Sequence, residues 1–178
     1  MKRERDVISL PILDKNQGNK IATIKDIVYS KNKLRILGFL VSDGNFFPTL
    51  KYIQFKNIES IGSDAIMIKS RMALEDPRAF PEIESLIEEK RRINGEEVLT
   101  ENGDSLGLVY DTIFDGSNGK ILGFVLTDGL FQDLKEGRNI LPCMKGITYG
   151  DQALIVSNEI KGQFEKNKET FKKLLELQ

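Results

Sequence analysis

Four aspartates at matching places are the first candidates for chemistry. Asp26 and Asp111 lie 85 residues apart, and so do Asp43 and Asp128. Two carboxylates brought together can share acid and base roles or hold a divalent cation. Each pair, however, is divided between two similar stretches of chain, and each acid occupies a strand or turn position that accounts for it. Asp43-Gly44 and Asp128-Gly129 are turn dipeptides, in which the Asp side chain bonds the local backbone. The structural reading is favoured for all four. The run Asp115-Gly116-Ser117-Asn118-Gly119 superficially has the composition of a calcium loop, but it lacks the alternating acids and closing Glu of an EF-hand. It reads as a hairpin turn, and no metal site is expected.

Nucleophilic and cofactor chemistry find no better footing. The chain has no histidine and no tryptophan, which excludes Ser-His-Asp and Cys-His catalysis, His general bases and His-ligated zinc. Its one cysteine, Cys143, cannot form a disulfide within the chain. It follows Pro142 and lies where the first similar stretch has Phe55, so a buried small hydrophobe is expected rather than a reactive thiol. No GxGxxG or GxxxxGK[ST] phosphate loop occurs. The expectation is a protein without a cofactor and without catalytic activity.

Binding chemistry has two candidates. Lys31, Lys33 and Arg35 sit in the basic turn SKNKLR and could touch an anion, though such a turn is usually a solvated tip. Phe46 and Phe47 follow the first Asp-Gly turn, and Leu130 and Phe131 follow the second. Loops are normally exposed and polar, so these residues need a destination. They either fold back on the core or form a patch, bordered by Lys51 and Tyr52, that anchors a partner. With Asp133 and Glu136 beside Phe131, the second patch would carry the opposite charge.

These residues belong to a repeat. Residues 18–44 and 103–129 align without a gap, with eight of 27 positions identical, including Ile-Leu-Gly-Phe at 36–39 and 121–124. A fixed period of this kind means one fold unit built twice. β-Branched and aromatic runs at 21–28 and 34–41, and at 106–114 and 121–126, read as hairpins joined by SKNK and DGSNGK. Shorter runs at 52–55, 58–61 and 65–68 supply further strands. Gly38 and Gly123 fall inside strands, where glycine marks a bend, a bulge or close backbone approach. Pro81, Glu82 and Glu84 begin a helix over about 81–93 that stops at Asn94-Gly95. A second, amphipathic helix is expected over about 158–177, with Asn158 as N-cap. The organisation is thus a first repeat at 1–70, a helical linker at 71–95, a second repeat at 96–157 and a C-terminal helix at 158–178.

A strand, a glycine, a hydrophobic strand ending in Asp, a turn, an Ile-Leu-Gly-Phe strand and a final strand (SIGSDAIMI at 60–68, TYGDQALIV at 148–156) together resemble the PRC-barrel. This family is named for the photosynthetic reaction centre H subunit and also occurs in the maturation factor of the small ribosomal subunit. The resemblance covers 7–69 and 96–157 and implies an all-β chain of two tandem small β-barrels. It is closest to bacterial proteins made of two such barrels. The family has no shared catalytic residues, and its better-known members are binding or assembly modules.

Charge adds a constraint on partners. Residues 1–70 hold 12 Lys and Arg against 7 Asp and Glu, a net of +5, whereas 96–156 hold 4 against 10, a net of −6. Such segregation suits complementary surfaces within a chain or between chains, an anionic partner such as RNA on the first repeat, or nothing more than surface drift. No stretch approaches a membrane span and no signal peptide is evident, so a cytoplasmic protein that does not insert into membranes is expected. The reading is a binding or assembly adaptor for a protein partner, with homo-oligomers admitted and an RNA- or ribosome-associated factor as the alternative.

Overall fold

The structure, a computed structural model of the 178-residue chain, describes residues 1–30, 34–43, 49–88, 92–129, 138–143, 145–150 and 153–163. It divides into two compact units, one comprising residues 1–91 and 114–121, the other 92–113 and 122–178.

The first unit opens with a short strand β1 (Lys2–Arg3) and one turn of helix, α1 (Glu4–Val7). The Tyr29 hydroxyl donates to buried Glu4 at 2.5 Å, tying α1 to the sheet. Six strands follow: β2 (Pro11–Asp14), β3 (Lys20–Ser30), β4 (Arg35–Ser42), β5 (Leu50–Gln54), β6 (Ile58–Ile61) and β7 (Ile66–Ile68). Their order in the sheet is β5-β4-β3-β2-β7-β6. The two edge strands, β5 and β6, are consecutive in the chain and joined by a 3-10 turn at Phe55–Asn57. β2 was implied by the PRC-barrel resemblance but not by local pattern: PILD has two poor strand formers, and its parallel partner β7 lies more than fifty residues away.

The continuous apolar runs of β3, β4 and β5 follow from burial on both faces. Ile24, Phe39, Val41 and Ile53 are fully buried. Val28, Leu40 and Tyr52 form a separate cluster closed by Ile83 of helix α2 (Pro81–Glu88), with Leu37, Phe80, Leu86 and Ile87 packed around it. Pro81 and the first-turn acids Glu82 and Glu84 start this helix as expected. Residues 71–91 of the segment read as a linker therefore group with the first unit, and 92–95 with the second. Tyr52 and Glu75 exchange backbone hydrogen bonds at 2.9 and 2.8 Å, which fixes its approach.

The second unit repeats the plan with β8 (Glu97–Thr100), β9 (Ser105–Phe114), β10 (Ile121–Thr127), β11 (Asn139–Pro142), β12 (Ile147–Tyr149) and β13 (Ala153–Val156). The order is β11-β10-β9-β8-β13-β12, with β8 parallel to β13 as β2 is to β7. Phe114 and Ile121, at the ends of β9 and β10, count with the first unit, as does the turn between them. Ile113, Val125 and Ile140 form a cluster at positions equivalent to Val28, Leu40 and Tyr52. Residues 158–163 are helical, but the cap is Ser157, whose Oγ accepts from the Ile160 N–H at 3.4 Å; Asn158 is the first helical residue, not the N-cap. The remainder of the expected helix, including Phe164 and Phe171, lies outside the described residues.

Candidate binding groove

Within the first unit the start of β4 meets residues 119–121. The Ile36 N–H donates to the Gly119 carbonyl at 2.8 Å, and the Ile121 N–H donates to the Leu34 carbonyl at 3.0 Å. Arg35 and Lys120 face each other between these bonds as an antiparallel bridge. Under the 85-residue shift Ile36 becomes Ile121 and Leu34 becomes Gly119, so each bond is the image of the other. Leu34 and Gly119 share a left-handed backbone as well, with φ of 46° and 73°. Glycine adopts this conformation freely, whereas leucine does so at a cost.

The turn that carries Gly119 is stiffened by its own side chains. Asp115 Oδ1 accepts from the Ser117 N–H at 2.8 Å and from the Ser117 hydroxyl at 2.7 Å, and Oδ2 accepts from the Asn118 amide at 2.8 Å. The Ser117 bonds, with help from Asn118, hold the Asp115 carboxyl below its usual range. Asn118 in turn accepts from the Lys120 N–H at 2.8 Å. The expected hairpin turn is what stands here, and its carboxylate is occupied by neighbours. Arg35 Nη2 donates to the Asn118 carbonyl at 2.7 Å, which pins the guanidinium against the turn.

These contacts frame a groove of about 460 Å³ lined by Arg35, Ile36, Leu37, Phe55, Lys56, Ile58, Ser117 and Asn118. Its apolar lining comes from Ile36, Leu37, Phe55 and Ile58, of which Phe55 is half-buried and packs on Phe39 with ring centroids 5.9 Å apart. Arg35 and Lys56 are exposed and bring two positive charges, while Ser117 and Asn118 bring polar groups. Among the described residues no lining residue is acidic. An arrangement of this kind can take an apolar group against Phe55 and a negative charge beside the cations.

Of the residues singled out from sequence, Arg35 lies in this groove. Lys31, Lys33, Phe46, Phe47, Leu130 and Phe131 lie outside the described residues. Tyr52 is a correction. It is 2% exposed, its ring meets Phe80 edge-on at 5.4 Å, and its hydroxyl donates to the Leu37 carbonyl at 2.9 Å, so it is core and not the border of a surface patch. Lys51, beside it on β5, is half-buried opposite Val41. Cys143 is half-buried rather than buried, with its N–H donating to the Leu122 carbonyl at 2.8 Å.

Three of the four aspartates have structural hydrogen-bond partners. Asp26 Oδ1 accepts from the Ile27 N–H and Asp111 Oδ1 from the Thr112 N–H, both at 2.9 Å, and the first lies at a register shift between β3 and β4. Asp43 accepts from the Thr49 N–H and hydroxyl. Asp128 Oδ1 stands where a side chain on Gly107 would be, 2.5 Å from that Cβ position. Among the described residues no group of three or more His, Cys, Asp or Glu could hold a metal ion. The sequence reading missed Phe55, Lys56, Ser117 and Asn118 as groove residues. Phe55 and Lys56 had one signal, an aromatic followed by a cation just where a strand run ends. Ser117 and Asn118 had none, because the turn that holds them belongs by sequence to the second repeat.

Two stretches of the chain, residues 1–74 and 88–160, match the PRC-barrel domain. The chain therefore belongs to the PRC-barrel domain family and carries that domain in tandem. A search of the curated proteins gives no match.

Proposed function

We propose that this tandem PRC-barrel chain is a non-catalytic binding and assembly adaptor that recognises a protein partner through the groove of its first unit. The observation that carries the reading is the groove itself, which joins an apolar floor to two cations on a hydrogen-bonded sheet edge. A strand carrying an arginine beside a 3-10 turn carrying a half-exposed aromatic is a suitable anchor for an interface. The net charge of +5 over residues 1–70 adds steering for an acidic partner. The better-known PRC-barrel proteins are binding modules, which agrees with this role. The proposed setting is the cytoplasm, without membrane insertion; among the described residues no helix is long and apolar enough to cross a membrane.

One observation favours a second reading, an RNA- or ribosome-associated factor: Phe55 beside Arg35 and Lys56 combines an aromatic with cations, as single-stranded RNA sites do. Affinity purification of the full chain from its native cell, with and without nuclease, separates the two. The adaptor reading expects a protein that is retained after nuclease and lost from an Arg35→Glu, Lys56→Glu double variant. Loss of all bound material on nuclease treatment would select RNA. Retention of the same protein by the double variant would remove the groove from the interface.

A further inference from the structure

We infer that the groove is a binding site for a compact organic anion, one carboxylate or phosphate group carried on an apolar or aromatic body. This deepens the adaptor reading and rests on it only for the source of the ligand.

Charge comes first. Among the described residues the ionised groups of the lining, Arg35 and Lys56, are both cations. Asp115, the acid in the adjoining turn, is engaged by Ser117 and Asn118. Arg35 is also oriented in advance. Its Nη2 bond to the Asn118 carbonyl fixes the plane of the guanidinium, so little freedom remains to be lost when an anion arrives. Lys56 can approach the same charge as a mobile point cation.

Shape and backbone chemistry then narrow the ligand. Strand addition, a common way to bind a peptide, needs unpaired backbone groups. At the strand edge of the groove the Ile36 N–H is bonded to Gly119, and the Leu37 carbonyl accepts from Tyr52. With these two groups taken, recognition falls mainly to side chains, which suits a compact ligand over an extended chain. The 460 Å³ volume lies within the range of small-molecule sites, roughly 300–1,000 Å³. Phe55 and Ile58, both half-buried, offer an apolar surface for the body of the ligand. A free phosphorylated metabolite has this chemistry, and so has the terminal carboxylate and side chain of a partner's last residue.

Titration of the full chain, followed by amide and methyl NMR shifts, tests the site with four probes. These are adenosine 5′-monophosphate, N-acetylphenylalanine, adenosine and inorganic phosphate. Saturable shifts at Phe55, Ile58 and Asn118 are expected with at least one of the first two. Adenosine and inorganic phosphate should bind about tenfold more weakly or worse, since each lacks one half of the recognition. Preference for the monophosphate identifies a phosphate ligand; preference for N-acetylphenylalanine identifies a chain terminus. Arg35→Gln and Lys56→Gln should each weaken the better probe by roughly tenfold, and Lys20→Gln, an exposed residue at the opposite end of β3 from Tyr29, the strand partner of Ile36, should not. If Arg35→Gln disturbs folding through its bond to Asn118, Lys56→Gln decides, because that side chain is exposed. The site is overturned if neither anionic probe shifts these residues, if adenosine binds as tightly as its monophosphate, or if Lys56→Gln leaves the titration unchanged. Because the titration uses the chain without a partner, probe binding by the wild-type chain together with groove variants that retain their protein partner would sink the adaptor reading alone.

Discussion

Tyr52 shows how one residue's role is set by segments far along the chain. Its ring packs on Phe80 and its hydroxyl donates to the Leu37 carbonyl, and burial, followed by the nearby Glu75 and Glu82 carboxylates, pushes its phenol up to about 12. Tyr52→Phe keeps the ring and removes the bond, so it should lower stability at neutral pH by about 1 kcal/mol. The pH dependence has a definite sign. A phenol raised above its unfolded value stabilises fully below about pH 10 and loses that contribution as pH climbs toward 12. The difference in unfolding free energy between wild type and Tyr52→Phe, measured by denaturant titration, should therefore shrink above pH 10, with a slope of up to about 1.4 kcal/mol per pH unit, and change sign before pH 12. A difference that stays constant to pH 12 would contradict a buried, bonded hydroxyl. From sequence Tyr52 looked like a surface neighbour of a loop. Its cover comes from Glu75, Phe80 and Ile83, and nothing in strand alternation announces that a later helix will close the outer face of a strand. Asp26 and Asp111, by contrast, were legible as structural, because the same local bond to the next N–H is available to both.

At the scale of elements, the hairpins and their internal glycines were readable because their chemistry is local. A Cβ on Gly38 would overlap the Ile53 carbonyl oxygen and lie 2.6 Å from the Tyr52 ring; on Gly123 it would lie 2.7 Å from the Leu141 carbonyl oxygen. Gly38 pairs with Gln54 and Gly123 with Pro142, so the two glycines admit equivalent strands at equivalent points. Gly38→Val and Gly123→Val should each destabilise by roughly 1–3 kcal/mol or more, with Gly38 the more severe, as thermal unfolding would show. Full retention of melting temperature in both would refute close approach. The turn at 115–119 has its own pH signature. Its Asp115 carboxyl is held below the usual range by the Ser117 and Asn118 bonds, so that stabilisation is present above the unfolded carboxylate value of about 4 and lost as pH falls through the folded one. Protection of the Ser117 and Lys120 amides, taken relative to intrinsic exchange at the same pH, should therefore fall in acid, and Asp115→Ala should show the lower protection at neutral pH. The strands β2 and β8 were readable only through the family resemblance and not from local pattern, since four residues carry too little alternation and their parallel partners are distant in sequence.

The whole molecule is less modular than its repeat suggests. Two copies at an 85-residue period imply two self-contained folds, yet residues 114–121 of the second copy group with the first unit. They supply the Gly119 carbonyl to Ile36, the Ile121 N–H to Leu34 and the Asn118 carbonyl to Arg35. Three such bonds contribute on the order of 1 kcal/mol each. A unit of this size has only about 5–15 kcal/mol in total, and small domains bury the smaller fraction of their surface. The loss is therefore a large part of what holds the first unit together. A fragment of residues 1–91, which keeps one complete sequence repeat, should accordingly unfold well below the full chain, or fail to fold. Residues 114–121 are also continuous with β9 and β10, so melting of those strands removes the partners of Leu34, Arg35 and Ile36 at the same time. Scanning calorimetry of the full chain should then give one transition at low salt, with a van't Hoff enthalpy equal to the calorimetric one. Two well-separated transitions, or a 1–91 fragment as stable as the first unit within the full chain, would show that these bonds contribute little and that each repeat stands alone.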